Sequence, residues 1–141
     1  MRGRVRWVGS AVHPVLVVFS LGLLTLSVIF DLAGLLARRA VWTRVALWDL
    51  QLGLAGGAAT GVFALASVAA TPAASGARRL AVAQLVAHLG ALALFGGALW
   101  LRRAERDPFP DPSQVVLSAA GLGLGALAAW FAAELAGRLE R

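Results

Sequence analysis

The sequence predicts an all-α fold, a membrane-spanning four-helix bundle with up-down-up-down topology, and three observations lead there. Of 141 residues, 60% are hydrophobic and mean hydropathy is +0.79, against about 45–50% apolar residues in a soluble domain. The solvent implied is lipid. Four stretches, Trp7 to Ala37, Val45 to Ala77, Leu80 to Leu101 and Ser113 to Gly137, carry at most one acid each and no arginine. Each exceeds the roughly 20 residues that cross about 30 Å of hydrocarbon at 1.5 Å of rise per residue. Finally, no stretch alternates with a period of two, as a β-barrel, the other structure that satisfies its backbone in lipid, requires. One domain over residues 1–141 is expected, with helices at about 9–37, 43–71, 77–102 and 112–138.

The first helix begins with Arg2, Arg4 and Arg6. Its apolar run is too long for the roughly 7–15-residue core of a secretory signal, so it is read as a retained span. His13 precedes Pro14 and reads as a helix-start element, because the residue ahead of a proline is steered away from helical dihedrals. At 100° per residue, His13, Ser20, Ser27 and Asp31 share one side.

The second helix carries Asp49, Gly53, Gly56, Thr60, Ser67 and Thr71 on one side. Its Gly53, Gly57 and Gly61 series is a doubled small-xxx-small motif that admits close helix approach. The segment "TPAASGARR" turns the chain into the third helix, where Gln84 and His88 lie one turn apart.

The proline-rich loop "RRAERDPFPDPSQ" ends that helix. Asp111, Pro112 and Gln114 then read as N-cap, first helical residue and capping-box partner of the fourth. Gly121 and Gly125 fall opposite Glu134, and so offer a close-packing face beyond the one the bundle needs. "GLGLGA" matches a dinucleotide-binding fingerprint in form only, since no strand precedes it.

The net charge is +6 and the isoelectric point about 11.8, but the arginines cluster at span ends. They suit snorkelling to headgroups and anionic lipid, and no stripe or module points to nucleic acid. Seven arginines (2, 4, 6, 78, 79, 138, 141) lie on the face of the termini and six (38, 39, 44, 102, 103, 106) on the other. This small bias places both termini in the cytoplasm of a bacterial inner-membrane protein. Trp7 marks one interface and Trp42, Trp48 and Trp100 the other. The absence of cysteine excludes disulfides, iron–sulfur clusters, thiolate haem ligation and c-type haem attachment.

Ionisable groups within a span are functional candidates. Counted from the flanking arginines, Gln84 and Glu134 lie about 6–9 Å inside the termini face, His13 about 10 Å and His88 about 15 Å. These four, from three helices, are expected to form a buried polar cluster. They could satisfy one another and fix the packing, at about 0.6 kcal/mol per interhelical bond. His13 and His88 could instead be axial ligands of a b-type haem. Glu134, His13 and His88 could relay protons or line a narrow pore in an oligomer. Zinc on His13, His88 and Glu134 is the weakest reading, for lack of tight spacing.

Asp31 and Asp49 sit near Arg38, Arg39 and Arg44 and are expected in interfacial salt bridges. No nucleophile, phosphate loop or metal-ligand run appears, so no enzyme and no resident cofactor are expected, haem b being the alternative. The role expected is that of a structural, accessory or assembly subunit, with lipids and other membrane subunits, or itself, as partners.

"HPVLVVFSLGLL" followed by "FDL", the polar pair early in the third span, "LWLRR", and "AELAGR" near the end resemble the bacterial membrane-protein family catalogued as domain of unknown function 2231. The resemblance covers nearly the whole chain. It implies a four-helix integral membrane protein, with proline where Ser20 stands, histidine where Gln84 stands, asparagine where His88 stands, and a glutamate matched by Glu134. A second family histidine is thus displaced here by one helical turn.

Overall fold

The computed structural model describes the backbone of residues 2–139 and the side chains of residues 14–138. Four helices follow in order: α1 (Arg2–Ala37), α2 (Ala40–Ala70), α3 (Gly76–Ala104) and α4 (Pro112–Leu139). Each is long and apolar enough to cross a membrane. Sequence neighbours pack together and α4 closes on α1, whereas the diagonal pairs α1/α3 and α2/α4 do not meet through their backbones. This is a four-helix bundle of up-down-up-down order. Large apolar side chains such as Val62, Leu65, Trp100 and Trp130 face outward, as lipid for a solvent allows.

α1 ends at Ala37, as expected, but its start differs. Its helix passes through Pro14, so His13 and Pro14 do not begin it. Proline already has a helical φ, and loss of its N–H is tolerated in membrane helices. At the other end Arg38 adopts φ 51°, and the Arg39 N–H donates to the Gly34 carbonyl at 3.2 Å. A left-handed residue followed by this bond is the Schellman ending, normally given to glycine.

Ser75 caps α3 by accepting from the Arg78 N–H at 3.2 Å. Arg78 itself donates to the Val68 and Thr71 carbonyls at 3.2 and 3.0 Å, closing the end of α2. Asp111 caps α4 by accepting from the Ser113 N–H at 2.9 Å. Gln114, however, donates to Glu105 at 2.8 Å, so its amide ties the loop together and does not complete a capping box.

A glycine faces a larger side chain at each of the four seams. A Cβ added at Gly53 would meet Leu24 at 2.8 Å, one at Gly57 would meet Leu92 at 2.6 Å, one at Gly121 would meet Phe95 at 2.8 Å, and one at Gly125 would meet Leu21 at 3.2 Å. Leu24, Val28, Leu50 and Phe95 form the core. The expectation that Gly121 and Gly125 leave a spare outer face is therefore corrected. Both are covered from within the bundle, because Phe95 needs the space that Gly121 vacates.

Candidate functional site

The polar side of α1 points inward. Ser20, Ser27 and Asp31 are all buried, as their spacing of seven and four residues requires once one of them faces the core. With the groups that meet them from the other helices, they make a discontinuous polar column through the bundle. An apolar layer around Leu24, Leu50 and Phe95 interrupts it.

At the end opposite the termini, Arg102 of α3 grips Asp31 with both terminal nitrogens. Its Nη1 donates to Oδ2 at 2.9 Å, Nη2 donates to Oδ1, and Nη2 also reaches the Thr43 carbonyl of α2 at 3.3 Å. The two side chains are only 9% and 4% exposed. A fork-on-fork geometry fixes direction as well as distance. Asp31 was expected to pair with Arg38, Arg39 or Arg44. Those three are exposed, while Asp31 lies on the buried side of α1, so only a long side chain entering from the far helix reaches it.

Ser27 Oγ and Asp49 Oδ2 are buried without a partner. They lie on α1 and α2, and the α1–α2 register, which sets Leu24 against Gly53 and Ser20 beside Gly56, brings their turns to the same level. Asp49 makes no salt bridge among the described residues, contrary to expectation. Its orphaned oxygen faces protein, while Arg38, Arg39 and Arg44 are exposed and Arg102 is taken up by Asp31.

In the half nearer the termini, His88 Nε2 lies 2.7 Å from the Gly57 carbonyl. A carbonyl can only accept, so this nitrogen carries the proton. Ser20 Oγ donates to the Gly53 carbonyl at 2.7 Å. The glycines of α2 make both contacts feasible. A Cβ at Gly57 would sit 3.2 Å from Ser20 Oγ, and one at Gly61 would rest 3.5 Å from the imidazole. Ser20, Thr60, Gln84 and His88 line one interior cavity of about 40 Å³, little more than one water's share of liquid volume, about 30 Å³.

The structure thus brings Gln84 and His88 together, as their one-turn spacing predicts, and adds Ser20 and Thr60. Glu134 does not join them. It is 48% exposed and pairs with Arg138 of its own helix at 3.1 Å. Nine residues, or half a turn beyond whole turns, separate it from Gly125, and Gly125 packs on Leu21 of α1; Glu134 must therefore face away. The side chain of His13 lies outside the described residues.

The Nε2 of His88 is thus engaged by a backbone carbonyl. Among the described residues no group of three or more His, Cys, Asp or Glu side chains could hold a metal ion. What sequence reasoning missed is Arg102 as the partner of Asp31. The signal available was the inward stripe on α1, which makes a loop arginine a poor partner.

A family model described as "Predicted membrane protein (DUF2231)" matches residues 9–140. No curated protein gives a significant match, and no solved structure does.

Proposed function

The chain belongs to this family of predicted membrane proteins, and from that premise we propose that it serves as a structural or accessory subunit of a larger inner-membrane assembly, or of a homo-oligomer, with its outer surface as the working surface. The observation that carries this reading is a pair of glycines on α3. Added Cβ atoms at Gly96 and Gly97 would meet nothing within 4 Å. Glycine inside a helix costs about 0.5–1 kcal/mol relative to alanine, and no neighbour within the chain requires it here. Ala93 and Gly97, four residues apart, set a small-xxx-small notch between exposed Leu89 and Trp100. That notch suits the close approach of a helix from another subunit. Inside the bundle, by contrast, His88, Ser20 and Arg102 have partners within the chain.

Because the chain has no cysteine, Gly97→Cys provides a single thiol. In membranes, mild oxidation is expected to give a cross-linked species for Gly97→Cys and none for Val62→Cys on the outward side of α2. Native mass spectrometry from gentle detergent should show an assembly that Gly97→Ile reduces to single chains. Isolated monomers throughout, with no cross-link at Gly97, would reject the reading.

A further inference from the structure

The polar interior is not sealed from the side. Between α1 and α4 a second cavity of about 530 Å³ runs along Val17, Val18, Ala129, Ala132, Ala133 and Ala136 and ends inside at Gln84 and Ser67. It shares Val17, Gln84, Ala129 and Ala132 with the interior cavity, so the two meet at the Gln84 side chain. The α1–α4 seam is the least extensive of the four. The alanines of α4 recur at intervals of three and four residues, the spacing of a single helix face, and their short side chains leave the seam open.

Gln84 is 6% exposed. Among the described residues its side-chain amide has no hydrogen-bond partner, although it offers two donors and an acceptor. Gln84 lines both spaces, so its amide is placed to bond a polar group that enters them. None of the described residues that line the lateral cavity is acidic or basic.

We propose that the cleft between α1 and α4 binds a neutral single-chain amphiphile from the bilayer, its hydroxyl or carbonyl head hydrogen-bonded to Gln84 and its hydrocarbon tail in the alanine-lined cleft. The head must be small, because the space beyond Gln84 is only about 40 Å³. It must be uncharged, because the described lining residues supply no counter-charge. The tail enters laterally, since the cleft lies in the part of the surface that faces lipid. This site shares no residue with the α3 notch, and its test reads different residues.

The test uses the full-length protein in nanodiscs with two probes of equal length, a diazirine-bearing hexadecanol and the same diazirine alkane without the hydroxyl. The alcohol is expected to label segments 14–18 and 129–136, to be displaced by excess hexadecan-1-ol, and to label several-fold more than the alkane. Gln84→Leu, which keeps the size and removes the amide, should bring alcohol labelling down to the alkane level. Ala132→Phe, which fills the cleft from its lipid side, should abolish both; if Gln84→Leu fails to fold, this variant decides. Equal labelling by the two probes, labelling spread evenly around the bundle, or labelling that survives both substitutions overturns the proposal.

Discussion

Arg102 of α3 and Asp31 of α1 are joined by a two-pronged ion pair across the diagonal of the bundle, although their helices have no backbone contact. The guanidinium also reaches the Thr43 carbonyl. One side chain therefore ties three of the four helices together at the end opposite the termini.

Removing one member of a buried pair leaves a charge uncompensated, at a cost of about 3–5 kcal/mol. Asp31→Asn and Arg102→Leu are each expected to lose stability on that scale in detergent unfolding titrations. The double variant Asp31→Leu/Arg102→Leu should lose much less than the sum of the two. Strictly additive losses would show that the pair does not couple.

Glycines divide by what lies beside them. Gly53→Ala places a methyl 2.8 Å from Leu24 and 3.2 Å from its backbone nitrogen, so a loss of about 1–3 kcal/mol is expected from overpacking. Gly123→Ala meets nothing within 4 Å and should gain about 0.5–1 kcal/mol from helix propensity. The same titrations check both signs.

Arg38 holds a left-handed conformation that costs an L-residue about 1–2 kcal/mol. Arg38→Gly should therefore raise stability by about 1 kcal/mol. Arg38→Ala, which keeps the Cβ, should not.

Glu134 and His88 separate the two halves of the cluster expected from sequence. The Glu134–Arg138 pair is half exposed, and Glu134→Gln should change stability by no more than about 0.5 kcal/mol. His88→Ala removes the imidazole that meets the Gly57 carbonyl and should cost about 1–3 kcal/mol. Equal effects would contradict the outward placement of Glu134.

Asp111 lies outside the spans, and the Ser113 hydroxyl, then the Ser113 N–H, hold its carboxyl below the ordinary aspartate range by bonding the ionised form. As pH falls, the unfolded chain takes up this proton first, so stability falls with it. The contribution of the cap is complete above the ordinary aspartate range and disappears as pH drops through the lowered value. Amide exchange at Ser113 to Val115, corrected for its intrinsic pH dependence, should show protection at pH 6 that is lost on acidification. In Asp111→Ala that change should be absent.

The membrane-spanning class, the number of helices and their order were legible in the sequence because lipid restricts the backbone to helices and sets their length. The Asp111 cap was legible for a similar reason: capping is local chemistry between residues two or three apart. Ser20, Ser27 and Asp31 declared a shared face through spacing alone, and so did Gln84 and His88.

Which of several faces turned inward was a different matter. On α4 the sequence presented Gly121 and Gly125 on one side and Glu134 on the other, and either could have been buried. Phe95 and Leu21 settled it by occupying the glycine side, and Glu134 then had to face outward. Likewise Asp31 had arginines nearby in sequence, but its partner came from 71 residues away. Periodicity gives each helix its own angular pattern and says nothing about its rotation relative to a neighbour. That rotation is set by side-chain volumes meeting across seams, so the diagonal ion pair, the seat of His88 and the open cleft beside Gln84 existed only once four helices had packed.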